Sequence, residues 1–363
     1  MRRQGLLLRA ALPAALLFST GLAACRSDGH DRSPAVGQVQ PPPLPGLPAL
    51  RPTDDTATSQ TAQGPVHLRA SEVVTGLDTP WSLAFDREGR LWFTERPGRL
   101  TRLGDPPQTI PGVVEQTEAG LMGLAFDRSG RRWLYYSSAS DNRIVRYDGG
   151  TPTVVVSGMR RGPIHDGGRL ALGPDGAIYA GTGEAGQPDL AQNDQSLNGK
   201  ILRIDPDPGH VEVFSKGHRN VQGLCFDAAG RFLSTEHGPD RGDEVNDLHR
   251  GDNGGWPQVT GNGIKNWTPT IAPAGCTVYQ ADLIPGWKGS MLFVTLKEQD
   301  LRRLTFNPDG SVAGEEILFD NNFGRLRDVV VGPDGAVYVA TSNLDGRGRP
   351  NPGDDRILRI APG

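Results

Sequence analysis

The chain has 363 residues, with 38 Lys and Arg against 42 Asp and Glu for a net charge of −4, and it carries 49 glycines and 30 prolines. No basic run follows the first residues, which argues against a nucleic-acid partner. The glycines keep no three-residue period and apolar runs separate them, which excludes collagen and wholesale disorder and leaves a strand-and-turn protein.

The opening MRRQGLLLRAALPAALLFSTGLAAC has a basic start, an apolar run and small residues before Cys25, the pattern of an export signal over 1–24. Its apolar part is too short to span a bilayer. Leu22-Ala23-Ala24-Cys25 resembles a bacterial lipobox, in which the cut falls before the cysteine and that cysteine takes the lipid. Cys25 is therefore the expected lipidation site, and the chain is expected in the cell envelope, tethered by a lipid rather than spanning the membrane. Residues 25–65 are rich in Pro, Asp, Ser, Thr and Gln, with PPPLPGLP at 41–48, and read as a disordered or polyproline linker. What remains, 66–363, is long enough for one sizeable core. Cys225 and Cys276 can pair in an exported chain, but each falls in an apolar strand, where a buried thiol packs as a small hydrophobe; that packing is the expectation.

Six related segments follow. LAFDREGRLWFTERPGRLTRL at 83–103 returns as LAFDRSGRRWLYYSSASDNRIVRY at 124–147, LALGPDGAIYAGTGEAG at 170–186, LCFDAAGRFLSTEHG at 224–238, a divergent copy at 278–306, and VVVGPDGAVYVATSNLDG at 329–346. Turn glycines at Gly89, Gly130, Gly176, Gly230, Gly289 and Gly335 are spaced 41 to 59 residues apart, and each copy reads strand, tight turn, strand, loop, strand. Repeated all-β units of this length predict an all-β fold, a six-bladed β-propeller, with the spare strand His67–Val74 pairing with the last blade to close the ring. The spacing widens at 184–200 and 236–265, which predicts long loops on one face of the disk.

The stretch from Ser215 to Pro257 gathers more polar residues than its strands need. For Arg219, Lys297, Arg325 and Arg327, equivalent positions in separate copies predict convergence on the channel mouth, and such a cluster predicts an anionic ligand with several carboxylates. Arg325 and Arg327 flank one residue and so share a strand face. His165, in the Gly-rich GPIHDGGRL, is a candidate general base, with a structural histidine as the alternative; His218 is expected to be structural. Gly238-Pro239, Asp243-Glu244 and the turn at Gly254 offer carbonyls and carboxylates of the kind a hard cation takes. Gly181-Thr-Gly-Glu-Ala-Gly186 has dinucleotide-motif spacing but no helix to receive a pyrophosphate.

PWSLAFDREGRLWFTERPGRL, GGRLALGPDGAIYAGTGEAG with NGKILRIDPD, GHRNVQGLCFD, EHGPDRGDEVNDLHRGDNGGWP and GRLRDVVVGPDGAVYV together resemble the soluble glucose/sorbosone dehydrogenases, the aldose sugar dehydrogenases that use pyrroloquinoline quinone (PQQ). The resemblance covers nearly all of 66–363. It implies a six-bladed propeller of four-stranded antiparallel blades that binds PQQ and Ca²⁺ and oxidises the C1 hydroxyl of an aldose to its lactone, passing electrons to an external acceptor. Carried over residue by residue, it implies that His165 is the base for the C1 hydroxyl and that Arg219 stands beside the reacting quinone carbonyl, with Asn220 in the cofactor wall. Lys297, Arg325 and Arg327 match the cations on the cofactor's carboxylates, and Gly238 and Pro239 match the carbonyls of a Ca²⁺ that polarises the quinone. Glu244 and the Gly254 carbonyl match a structural Ca²⁺ site of some members.

Two positions depart from the pattern. Glu118 stands where the glucose dehydrogenases have a glutamine at the cofactor, and Glu184 replaces a shorter aspartate. A carboxylate beside a tricarboxylate ligand weakens binding unless a proton or a cation offsets it. A like-charge pair at ~4 Å costs on the order of 4 kcal/mol at an effective dielectric of about 20. The alternative these two acids raise is a propeller lipoprotein that has lost the cofactor and binds an envelope glycan or a protein partner.

Overall fold

The computed structural model describes residues 44–207 and 209–363; the signal segment 1–24 and Cys25 lie outside the described residues. Six antiparallel sheets follow one another along the chain. Five have four strands and the last has five. The first strand of each blade (Pro80–Phe85, Leu121–Phe126, Gly167–Leu172, Val221–Phe226, Pro273–Val278 and Leu326–Val331) packs against the first strand of the next, and the sixth packs against the first. These strands line the axis of a six-bladed β-propeller, as the repeats predict.

The repeated turn explains why the blades recur. Asp86, Asp127 and Asp227 each accept two backbone N–H groups on one carboxylate oxygen, from Glu88 and Arg90, Ser129 and Arg131, and Ala229 and Arg231, at 2.8–3.1 Å. The following glycine closes the hairpin in the left-handed region, φ 76° at Gly89, where a side chain is strained. Apolar residues from facing blades fill the spaces between sheets. Between blades 5 and 6, Trp287, Leu292, Val294 and Leu301 meet Leu326, Val329, Val337 and Val339, all buried.

The ring closes through Gly64–Val74, which pairs antiparallel with Ile357–Pro362 in the sixth blade, Ala70 opposite Ile360. The order begins earlier than the composition implied. Arg51–Thr61 is a strand paired along Gly64–Val74, so the expected linker does not extend to residue 65. Its alternating polar side chains find partners on blade 5: Ser59 accepts the Trp287 indole N–H at 2.8 Å and donates to Glu316 at 2.8 Å. Leu44, Leu47 and Leu50 pack with Leu83, Leu91 and Phe93. The thiol expectation is also corrected. Cys225 and Cys276 form a disulfide, their Cα atoms 5.9 Å apart, because the inner strands of blades 4 and 5 run side by side. No helix among the described residues is long and apolar enough to cross a membrane.

Candidate functional site

A pocket of about 450 Å³ opens on the propeller axis, lined by Trp81, Met122, Gly167, Asn220, Gln222, Leu296, Arg325 and Arg327 from all six blades, with Arg96, Glu118, Asp166, His237, Asp345 and Arg347 from the loops. A buried ion pair joins the inner strands of blades 3 and 6 next to it. Arg169 lies 2.8 Å from Asp328 and 4.5 Å from the centre of the Trp81 ring, and Asp328 also accepts the Leu83 N–H at 2.7 Å.

His165 precedes the inner strand of blade 3 with φ 60°, a left-handed conformation that β-strand neighbours do not impose and that clusters at functional sites. Its backbone is clamped on two sides. Its N–H donates to Glu118 Oε2 at 3.0 Å and its carbonyl accepts from Ala185 N at 2.9 Å. A Cβ on Gly183 would stand 1.9 Å from that carbonyl oxygen, so only glycine fits there. The ring's Nδ1 is held by Glu184 Oε1, a carboxylate that is itself buried. An imidazole bonded this way keeps its proton on Nδ1 and presents Nε2 as the basic nitrogen.

Positive charge collects opposite. Arg325 donates through Nε to Asp345 at 2.8 Å and through Nη1 to the Leu296 carbonyl at 3.0 Å. Arg327 reaches the same carboxylate only at 3.8 Å, donates to Gln222 Oε1 at 2.9 Å, and lies 5.7 Å from the Trp81 ring. Burial, and then Arg325 alongside, pull the Arg327 guanidinium down to about 10, with Asp345 acting the other way. Counting the lining, four arginines meet three carboxylates. Arg96 is shared with Glu115 at 2.9 Å, and Arg347 with Glu118 at 2.6 Å. Three lining side chains carry a buried polar atom with no hydrogen-bond partner: Arg327 Nε, Asp166 Oδ2 and His237 Nε2; Glu184 Oε2 is a fourth beside them. Buried polar atoms are usually met by protein, water or a bound group. Burial holds His237 far below the ordinary histidine value, and Arg327 and Arg219 add to the effect. The cation excess and the unpartnered donor on Arg327 fit a polycarboxylate such as PQQ.

The other expected residues divide. Arg219 stands 5.3 Å over the Trp256 ring and donates to the His237 carbonyl at 3.2 Å; burial lowers its guanidinium, while Glu184 and Glu236 act the other way. Its backbone N–H is taken by Glu236, which His218 holds at 2.9 Å, and the second His218 nitrogen meets Ser215 Oγ at 2.8 Å, so His218 is structural as expected. Asn220 is buried in the wall, accepting from Gln222 at 3.0 Å. Lys297 does not join the site. It is exposed and donates to Thr270 Oγ1 at 3.0 Å, while its neighbour Leu296 lines the pocket.

Gly238 and Pro239 follow His237 directly, with the Gly238 N–H given to Asp243 at 2.7 Å and Pro239 exposed. Asp243 also accepts from Ile271 and Ala272, so it is not free to join a cation. Glu244 accepts from Gly263 N at 3.1 Å and is pushed upward by burial and then by the neighbouring charge of Glu236. Gly254 lies against the Gly217 carbonyl and the His218 ring. Among the described residues, no three His, Cys, Asp or Glu side chains group as metal ligands.

Arg96, Asp166, Gln222, His237, Asp345 and Arg347 escaped the sequence reading. For two of them the repeats held a signal. In five copies a fully buried threonine (Thr94, Thr182, Thr235, Thr295, Thr341) is the last or next-to-last residue of the second strand, and the residue two further on is Arg96, Glu184, His237, Lys297 or Asn343. That position faces the axis in blades 1 and 4. Asp345 and Arg347 lie in an irregular loop that no repeat anticipates.

Asp166 supplies a pH test. Burial raises its carboxyl to about 6, against hydrogen bonds from Asn142 (2.8 Å) and Gly162 N (2.9 Å) that lower it. The folded chain therefore holds the proton more tightly than the unfolded one. The contribution to stability is complete below about pH 4 and is lost as pH rises through about 6, a swing of about 3 kcal/mol. Asp166→Asn keeps the acceptor oxygen, so urea unfolding across this window should show a flatter profile than the parent. An unchanged slope would place the titration elsewhere.

Comparison with known proteins gives a consistent set of relatives. Residues 77–357 match the family model described as Glucose / Sorbosone dehydrogenase. The chain is 31% identical over 353 residues to the aldose sugar dehydrogenase YliI of Escherichia coli (strain K12), covering 79% of this chain and 91% of that one. It is 26% identical over 404 residues to quinoprotein glucose dehydrogenase B of Acinetobacter calcoaceticus, covering 74% and 84%. The structure of the PQQ-bound aldose sugar dehydrogenase of Streptomyces coelicolor aligns with a TM-score of 0.73 and 36% identity, covering 85% of this chain and 99% of that one.

Proposed function

The chain belongs to the glucose/sorbosone dehydrogenase family, PQQ-dependent aldose sugar dehydrogenases, and from that premise we propose that it oxidises the C1 hydroxyl of an aldose to the lactone and delivers the electrons to an external acceptor. The carrying observation is the pairing of two guanidiniums, Arg325 and Arg327, on the single carboxylate of Asp345, in a pocket also lined by Asp166, next to His165 in the chain, and by Glu118, which holds the His165 N–H. That excess charge suits the carboxylates of PQQ, with Arg96 and Arg347 at the rim. When bound, PQQ supplies the two-electron acceptor.

The remaining work falls to the chain's own groups. His165 Nε2 takes the proton of the C1 hydroxyl, and Glu184 on Nδ1 fixes the tautomer and stabilises the imidazolium that results. Arg219, held by Glu236 and by the His237 carbonyl, provides positive charge close to the base. Ca²⁺ would be held by the Gly238 and Pro239 carbonyls, as the family resemblance implies, and would supply a Lewis acid; Asp243 gives its oxygens to three backbone N–H groups instead. The like-charge objection is lightened at both positions: Glu118 is paired with Arg347 in the ligand-free chain, and the Arg219 guanidinium stands near enough to Glu184 to feel its charge. The sequence ending at Cys25 supports a lipid-anchored protein of the cell envelope.

The test is reconstitution. Purified protein titrated with PQQ and Ca²⁺ should bind the cofactor saturably by absorbance and calorimetry, then reduce a dye with at least one aldose, and a chelator should reverse the activity. Absence of cofactor binding rejects the enzyme reading for this site.

A further inference from the structure

One ion pair at the rim joins two loops that do not depend on it. Glu118 sits on the tight turn Gln116–Ala119, closed by reciprocal backbone bonds of 3.1 and 2.9 Å, and the adjoining Gly120 packs against the Arg96 carbonyl. Arg347 has its backbone N–H on Asp345 Oδ1 at 2.9 Å, and Asp345 is in turn fixed by Arg325. Between these anchored backbones, only side chains meet. Arg347 Nη2 lies 2.6 Å from Glu118 Oε1, the guanidinium 62% exposed and the carboxylate 29%. An ion pair so exposed is worth at most about a fivefold factor, which a ligand carrying several carboxylates can overcome.

We propose that Glu118 is a built-in competitor for the ligand: its carboxylate occupies Arg347 when no anion is bound and yields it to a ligand carboxylate, so that the affinity of the pocket is set by this exchange. Arg347 turns on a backbone that Asp345 holds still. Glu118 stays in place, because its other oxygen keeps the His165 N–H at 3.0 Å. The residue thus sets ligand affinity through one oxygen and positions the base through the other. The inference rests on the PQQ reading for the natural ligand, but its physical content concerns any polycarboxylate.

The experiment uses the full chain and its Glu118→Gln, Arg347→Gln and double variants, with PQQ and benzene-1,2,4-tricarboxylate as probes in calorimetry at low and high salt. Glutamine keeps a carbonyl for the His165 N–H and releases Arg347. Glu118→Gln should bind both probes about fivefold more tightly at low salt, with the gain fading at high salt. In the Arg347→Gln background the same substitution should gain nothing, because the two residues act as one unit. No gain, or an equal gain without Arg347, overturns the proposal. If PQQ does not bind but the tricarboxylate shows the exchange, the cofactor reading fails and the exchange stands. If PQQ binds and Glu118→Gln gains nothing, the reverse holds, and if no variant binds either probe, both fail.

Discussion

Replacing His165 with asparagine is expected to lower kcat by about a thousandfold while PQQ binding stays within a few fold of the parent. Asparagine is the informative choice. At φ 60° most residues are strained, but asparagine tolerates the left-handed region, so the loop from Gly162 to Gly167 keeps its path and the loss reports the base. Alanine removes the same nitrogen and should give a similar loss. Glu184→Gln should lie between these variants and the parent, because an amide can still accept from Nδ1 but no longer stabilises the imidazolium. Steady-state dye reduction, paired with calorimetry of PQQ on the same preparations, separates the two effects. A His165→Asn enzyme with parental kcat would remove this imidazole from proton transfer.

What could be read in the sequence follows from what repeats. The Asp-x-x-Gly hairpin is local, its hydrogen bonds spanning two and four residues, so FDREG, FDRSG and FDAAG announce their blades by themselves. The closing strand was legible from its position alone, since a spare strand at 67–74 stood before the first copy with nothing else to pair it. Arg51–Thr61 was not, because its polar alternation reads as linker until Trp287 and Glu316 of blade 5 supply partners more than 200 residues away. The disulfide likewise depends on which strands the ring sets side by side. In the site, Arg325 and Arg327 line the pocket and His165 directly precedes the lining residue Asp166, whereas Lys297 turns outward to Thr270. Arg96 and Arg347 supply the cations at the rim instead, and a pairwise comparison of copies cannot rank which loop residues reach an axis shared by six blades.

Arg327→Met is expected to move ligand affinity and stability in opposite directions. Methionine fills most of the same volume beside Trp81 and returns no charge to the pocket. Asp345 keeps its bonds to Arg325, so the substitution does not strand a buried carboxylate. What disappears is a buried guanidinium that holds a carboxylate only at 3.8 Å and leaves Nε without a partner. Burying such a charge is costly, and replacing it by an apolar side chain of similar size is commonly neutral or stabilising. Gln222 loses its donor at Oε1, a smaller effect, since its amide still bonds to Asn220. The ligand-free protein should therefore unfold at the parent's temperature or above it. For a bound polycarboxylate the same guanidinium supplies a charge-assisted donor in a nearly dry site, and its loss should weaken PQQ by about a hundredfold, roughly 3 kcal/mol. Thermal unfolding of the ligand-free chain and calorimetry of PQQ together read both signs. A variant less stable than the parent and unchanged in affinity would make Arg327 a structural residue, and would leave the anion pocket to Arg325, Arg96 and Arg347.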